Sequence, residues 1–528
     1  MVEYLFPLRR FIVWSGEGTT LNTTNQENEV MKSSRRNFLK VASTVASIGY
    51  LVAEGNAQEV STSPNEKLGV ACVGIGGKGA SDSNNAAQFG NIVAICDVDR
   101  DRLENKGKAA GFQEAKQYTD FRKMLEAHAK EIEIVTISAS DHTHAPASLM
   151  AMRMGKSCYT QKPLTRTIYE ARKLAEVAKE TGVCTQMGNQ GTALDTSRMA
   201  IAQLKAGVIG RTKAVYAWSN RPVWPQKPGR RESMNGFVDK ARAEKNPAEA
   251  EKIIWGKFGE IQRSLEKLDW QNWIGVAKYR EYYPGLYHPF AHRGWWDFGT
   301  GALGDMACHQ WTVPFVACEL KDPTWVRAAT TGHDFDSFPE SSIIEFAFPA
   351  TANRDAISFW WYDREGNKPP QEIFDPYKVT PAKSGVLIIG EKGAFYSSDD
   401  YCGKYELKTV GGDKIAPIEN LDVEYAEDKG NADVNNMWEL FRAVYAKNPK
   451  ICHSNFVDRA GPLTETVLLG NLAVWAAAQG GPDGSMGEWG EKVEWDATKL
   501  VVTNLSSLKT PGVADLIKPV YSEGYRLD

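Results

Sequence analysis

The chain has 528 residues and a formal net charge of −4, from 62 Lys and Arg against 66 Asp and Glu. That length holds two or more domains, each with its own core. The near balance of charge, without a basic stripe or an interleaved aromatic series, excludes a nucleic-acid groove, and eight scattered cysteines with no CxxC give no zinc ribbon and no readable disulfide framework.

The first informative stretch is Ser34-Arg35-Arg36-Asn37-Phe38-Leu39-Lys40, followed by the apolar run VASTVASIGYLVA and then GNAQEV. This pattern predicts a twin-arginine export signal cleaved after Ala57, with Gly55 and Ala57 as the small residues at the cut. Met31 lies just before it, so residues 1–30 read as a misassigned start. The apolar run is short for a stable bilayer span, which weakens the alternative of a membrane anchor. Together these features predict an exported, periplasmic bacterial protein with no stable membrane span after processing.

From Lys67 short apolar runs alternate with helical ones. LGVACVG, NIVAICDVD, IEIVTISAS, SCYTQKP and VCTQMGN read as strands, with helices between them that often close on Gly. This rhythm predicts a doubly wound parallel sheet over residues 66–190. Its first turn, Gly74-Ile75-Gly76-Gly77-Lys78-Gly79, fits G-x-G-x-x-G between a strand and a helix, and Asp97 ends the next strand 18 residues past Gly79. Gly74 allows the tight turn, Gly76 lets backbone approach a pyrophosphate, and Gly79 lets helix and strand pack closely. The helix N-terminus favours phosphate. Asp97 suits the adenosine ribose hydroxyls and would repel a 2′-phosphate, which favours NAD, although Arg100 and Arg102 keep NADP open.

Residues 191–528 are expected to form an α+β domain. LDTSRMAIAQLKAG links the two parts, and residues 228–268 are charged and helix-prone, an insertion covering the site or an interface. TWVRAATTG, SSIIEFAFP, AISFWWYD, GVLIIGEKG and GAFYSSD alternate as in a large, mostly antiparallel open sheet, and MWELFRAVYAKN and LTETVLLGNLAVWAAAQ are closing helices.

Within GWWDFGTGALGDMACHQW, Asp305 and His309 are four residues apart, one turn apart on a helix face. A neutral His suits removal of a hydroxyl proton, and the carboxylate can fix its tautomer or bind a neighbouring hydroxyl. A metal is a competing possibility, because His288, His292, Asp297, Asp305 and His309 fall close together; the absence of HExxH and the Gly-rich, aromatic surroundings weigh against it.

Cys158-Tyr159-Thr160-Gln161-Lys162-Pro163-Leu164 and GTGALGDMACHQ, taken with GIGGKG and Asp97, resemble the Gfo/Idh/MocA oxidoreductases, the family of glucose–fructose oxidoreductase and inositol dehydrogenase. The further stretches GNQG and NFVDRAGPLTETVLLGN resemble its exported, twin-arginine-signal subgroup. The family's usual Glu-Lys-Pro stands here as Gln161-Lys162-Pro163, so the lysine is kept and the carboxylate is not. The resemblance implies Lys162, His309 and Asp305 as catalytic residues, with Ser138, His144, Gln161, Lys162 and Gln190 beside the cofactor. It further implies a mixed sheet used in a homodimer or homotetramer. Arg293, Trp295, Trp296, Tyr283 and Tyr287 are candidate substrate contacts.

The expected function is oxidation of a secondary hydroxyl of a sugar, cyclitol or sugar derivative by an NAD(P)-dependent enzyme with tightly held, recycled cofactor. The alternatives are a redox-assisted glycosidase or lyase of the same fold, and a non-redox carbohydrate-binding or metal-dependent protein.

Overall fold

A computed structural model of the chain describes residues 67–256, 265–283 and 285–527. The expected export signal and its cleavage point at Ala57 lie outside the described residues, as do residues 257–264 of the expected insertion. Among the described residues the strands form two sheets, one of six strands and one of nine.

The first sheet is parallel throughout, in the order β3-β2-β1-β4-β5-β6. Its strands are β1 (Gly69–Val73), β2 (Asn91–Cys96), β3 (Lys116–Tyr118), β4 (Ile134–Ile137), β5 (Ser157–Gln161) and β6 (Thr185–Gly188). Strands β1, β4, β5 and β6 are buried along their whole length, as expected where helices cover both faces of a parallel sheet. The interleaved helices are α1 (Lys78–Phe89), α2 (Arg100–Gly107), α3 (Phe121–Ala127), α4 (Asp141–Arg153) and α5 (Ile168–Thr181). Thr167 and Glu170 form a capping box at the start of α5, and Gly182 ends it in the left-handed conformation. The order reverses between β1 and β4, which opens a crevice at the carboxyl ends of the strands, where ligands of such sheets bind.

α6 (Asp195–Lys205) leads into β7 (Thr212–Ser219), the start of the second sheet. That sheet runs β13-β12-β11-β7-β10-β9-β8-β14-β15 and is mixed, with β7 and β10 parallel and the other neighbouring pairs antiparallel. It includes β8 (Trp325–Thr330), β9 (Ser342–Phe348), β10 (Ile357–Asp363), β11 (Gly385–Gly390), β12 (Ala394–Ser397), β13 (Tyr405–Lys408), β14 (Val493–Asp496) and β15 (Val501–Val502). The insertion contributes α7 (Arg230–Glu244) and α8 (Pro247–Gly256), followed by the short α9 (Trp270–Ile274). α10 (Gly301–Gln310) is buried along all ten residues, and α11 (Thr312–Ala317) follows it. Small residues make the burial of α10 possible: a side chain at Gly304 would collide with Thr300. α12 (Ala432–Ala446) and α13 (Gly461–Ala476) complete the packing.

Residues 265–298 carry a small core of their own. Trp270 and Trp273 stack at 4.6 Å between ring centres, and Tyr287, Trp295 and Phe298 pack around them. This aromatic cap is stitched to the first domain by backbone bonds from Arg100 N–H to Lys267 C=O and from Asp269 N–H to Val98 C=O, both 2.8 Å. No helix of the described residues is long and apolar enough to cross a membrane.

Candidate active site

A cleft of about 500 Å³ lies at the carboxyl ends of the parallel strands. One end is formed by the Gly74–Lys78 turn and Asp97, the other by Lys162, Arg293 and His309. At the first end Gly74 has φ +76°, and a Cβ there would come within 2.7 Å of the Ser138 carbonyl, so only glycine fits this close approach. Asp97 is 5% exposed and accepts the N–H groups of Ile75 and Asp99, both at 3.0 Å, one on each oxygen. Each oxygen keeps a lone pair for ribose hydroxyls. Arg102 covers Gly76 and stands 3.9 Å from Asp97, while Arg100 lines a neighbouring hollow instead. Ile75 and Gly79 shape the turn without lining the cleft.

Lys162 follows β5 directly, so the strand delivers it to the crevice. Its Nζ donates to the Asp305 backbone carbonyl at 2.6 Å and to Asp305 Oδ1 at 3.0 Å. Arg293 Nε donates to the same Oδ1 at 3.0 Å. Burial pushes the Asp305 carboxyl up in pKa, but the two cations outweigh it and hold it at about 2. Asp305 does not line the cleft; it anchors Lys162 and Arg293 from behind.

His309 lines the cleft and is 3% exposed. The one-turn spacing from Asp305 suggested that the carboxylate could fix its tautomer, but that partner is Asn189. His309 Nδ1 lies 2.8 Å from Asn189 Oδ1. Asn189 Nδ2 donates to the Cys308 carbonyl at 2.6 Å and to Thr312 Oγ1 at 2.9 Å, so its Oδ1 faces His309 as an acceptor. The proton therefore sits on Nδ1 and Nε2 carries the free lone pair. Burial, then Lys162, and also Lys78 push the His309 pKa well below its ordinary value, against the opposing pull of Asp305, so the ring is neutral.

Gln161 Nε2 donates to Asp82 Oδ2 at 2.8 Å, as does Ser138 Oγ at 2.7 Å, and Lys78 Nζ lies 3.2 Å from the other oxygen. Position 161, where the related motif carries a carboxylate, is thus a Gln held by a carboxylate from α1. Burial raises the Asp82 pKa against these partners. Its signal in the sequence was indirect: a Gln where an acid was expected, with an acid in the first turns of α1. Gln190 lines the cleft with a buried Oε1 that has no hydrogen-bond partner among the described residues. His144 also lines it, but both ring nitrogens face carbonyls, of Pro163 at 2.8 Å and Ala139 at 3.1 Å.

Of the expected substrate contacts, the structure brings only Arg293 to the cleft. Trp295 and Tyr287 are fully buried in the cap's core, and Trp296 stacks on Phe338 at 3.7 Å. Tyr283 packs at the edge of that core, with its hydroxyl directed to Glu281 at 3.4 Å. Aromatic residues serve a core as readily as a sugar face, and here the cap's need for a core prevails. The cap supplies instead residues not singled out as substrate contacts: Asn272, Trp273, His288 and His292 line the cleft, as does Tyr525 from the C-terminal tail. Among the described residues no group of three or more His, Cys, Asp or Glu is placed to hold a metal ion. His288 faces Asp99 at 3.8 Å, His292 faces Asp141 at 3.5 Å, and Asp297 pairs with Arg280.

The glycine cradle, the carboxylate at the end of β2 and the unpartnered Gln190 carbonyl fit a dinucleotide along the cleft. Residues 68–189 match the Gfo/Idh/MocA model described as an oxidoreductase family, NAD-binding Rossmann fold. Residues 247–330 match that family's C-terminal alpha/beta domain. A glycosyl hydrolase family 109 protein of Shewanella pealeana is 28% identical over 204 residues, 34% of this chain and 44% of that protein. Inositol 2-dehydrogenase of Salmonella paratyphi B is 28% identical over 115 residues, 21% of this chain and 33% of that protein. The chain thus matches less than half the length of these curated relatives. An inositol dehydrogenase homologue of Azotobacter vinelandii, solved with NADH and myo-inositol, superposes with a TM-score of 0.50 at 15% identity, covering 81% of this chain and 98% of that one. At that identity the likeness is one of fold.

Proposed function

We propose that this member of the Gfo/Idh/MocA oxidoreductases oxidises a secondary hydroxyl of a sugar, cyclitol or sugar derivative. The observation that carries the reading is the convergence of Lys162 with a neutral His309 whose Nε2 is unprotonated. NAD, when bound, supplies the hydride acceptor. His309 Nε2 takes the hydroxyl proton, and the Lys162 ammonium stabilises the alkoxide that develops. Asp305 orients Lys162, Arg293 shares that anchor, and Asn189 holds the imidazole in its proton-accepting tautomer. The test is the formation of reduced nicotinamide on adding cyclitols and sugars to the purified protein. A parent protein that none of them reduces would end this reading.

A second reading, a glycosidase or lyase that oxidises, eliminates and re-reduces, is favoured by the cap. Lys267 and Asp269 bond to the backbone of Arg100 and Val98, next to Asp97, and Trp273 and Tyr525 line the cleft. A covered adenosine site suits a cofactor that stays bound and is restored within each cycle. So does export by the twin-arginine route into a compartment without a free nicotinamide pool. The relative named a glycosyl hydrolase points the same way. Denaturing the protein and assaying the supernatant for NAD(H) tests the closed cycle. Cofactor-free protein with ordinary exchangeable micromolar binding would exclude it.

A further inference from the structure

We infer that Asp141 and His292 form a second proton-transferring pair in the cleft, acting on the C–H bond next to the carbonyl that hydroxyl oxidation creates. The inference rests on the redox reading above and adds a step to it.

Besides His309, four histidines at or beside the cleft divide into two kinds. His142 and His144 are held at both ring nitrogens by backbone carbonyls: Phe298 and Trp273 for the first, Pro163 and Ala139 for the second. They are satisfied and structural. His292 is only 5% exposed, yet neither of its ring nitrogens makes a hydrogen bond among the described residues. Buried polar groups are rarely left so. His288 also has an unpartnered Nε2, but it faces Asp99 at the adenosine end.

The place of His292 is different. Its Nε2 lies 3.5 Å from Asp141 Oδ1, and Asp141 is itself fixed by Thr300 Oγ1 at 2.9 Å. Asp141 begins α4 just after β4, and Lys162 follows β5, the neighbouring strand, so both stand at adjacent strand ends. Arg293, next in sequence to His292, bonds the same Asp305 oxygen as Lys162. Both members of the pair line the cleft that holds Lys162 and His309. The charged and titratable groups around His292 are Asp141, Arg293, His288 and His142; burial and then Arg293 lower its pKa, so the ring is neutral and able to accept a proton. Nε2 is the nitrogen that faces the carboxylate, at 3.5 Å, which leaves Nδ1 to act as the base.

The chemistry balances without a further oxidant. In the ketone, His292 takes a proton from the adjacent carbon, and the C–H electron pair becomes the enolate double bond. The carbonyl oxygen takes the negative charge, which Lys162 stabilises. Where the next carbon carries an alkoxy group, the enolate pair re-forms the carbonyl and expels that group as an alkoxide, which collects the proton from His292. One C–H and one C–O bond break, one C=C bond forms, and an alcohol leaves. Return of the proton to the carbon's other face would instead invert it.

The test supplies the ketone directly, so no hydride transfer is needed. The purified protein is incubated in D2O with the monoketone of myo-inositol and, separately, with methyl 3-keto-β-glucopyranoside, and deuterium incorporation is followed by NMR. Reduction of bound nicotinamide by the parent alcohols is measured in parallel, with melting temperature and bound cofactor as checks of folding. The parent should exchange the hydrogen beside the carbonyl. His292→Asn should slow exchange by on the order of 10²-fold, well beyond its effect on nicotinamide reduction, and Asp141→Asn should do the same. Imidazole should restore exchange in His292→Gly. A parent that reduces its cofactor but exchanges neither ketone would overturn the pair alone. So would variants that exchange like the parent, or that lose exchange and reduction by one common factor. A parent that does neither would overturn this inference and the redox reading together.

Discussion

The two ends of the cleft are built in opposite ways. The adenosine end is local in sequence: the turn from Gly74 to Gly79 and Asp97 lie within one strand–helix–strand unit, held by short-range bonds such as Gly74 N–H to the Cys96 carbonyl and Ile75 N–H to the Asp97 carboxylate. The catalytic end is assembled from distant segments. Lys162 meets Asp305 across 143 positions, and His309 meets Asn189 across 120. A local site is fixed mostly by strand and turn geometry, whereas a distributed one depends on how two domains dock. Substitutions at the first end should therefore affect binding, and those at the second should affect the chemical step with binding retained.

The sharpest break of that comparison is His309→Ala or Lys162→Ala. Each should lower the rate of nicotinamide reduction by about 10³-fold, the range for loss of a general base or an oxyanion-stabilising donor, while the purified protein keeps its cofactor. Rapid-mixing absorbance and cofactor stoichiometry check both halves. Next is Asn189→Leu, which leaves His309 in place but frees its tautomer. We expect a loss of about 10²-fold in rate with cofactor content unchanged, because a wrongly protonated imidazole cannot accept the hydroxyl proton.

Asp97→Ala should do the reverse: cofactor affinity weaker by ~10-fold or more, from loss of charged hydrogen bonds to the ribose, with little change in maximal rate at saturating NAD. A rate loss as large as that of His309→Ala would erase the distinction between the ends. The smallest effect expected is on pH dependence. Because burial and Lys162 depress the His309 pKa, its neutral form persists as pH falls through 6.5. The acid limb of the rate profile attributable to this group should lie below 6.5, and Lys162→Ala should move it upward.

This division also explains what was legible in the sequence. The parallel sheet and its glycine turn were readable because each rests on short-range pattern, whereas Lys162 came forward only through the resemblance of its motif to a family's. β3 was not readable, because Lys116–Tyr118 is a three-residue polar edge strand whose first two residues are exposed. Asp82 and Asn189 escaped notice because their roles arise only when partners 79 and 120 positions away come into contact. Asp305 was read as a partner of His309 from helical spacing, yet the fold turns it to Lys162 and Arg293. Trp295, Trp296 and Tyr287 were drawn to the substrate by composition, while Trp295 and Tyr287 fill the cap's own core and Trp296 packs into the main core against Phe338. The histidines of HPFAH, first weighed as metal ligands, each face a different single aspartate, Asp99 and Asp141.

The most direct test of the central claim is the absorbance of reduced nicotinamide in the purified, cofactor-containing protein after addition of a panel of cyclitols, sugars and glycosides. The account predicts that at least one of them reduces the cofactor in the parent, and that His309→Ala with its cofactor still bound does so about 10³-fold more slowly. No reduction by any member of the panel, or equal rates in parent and variant, would contradict it.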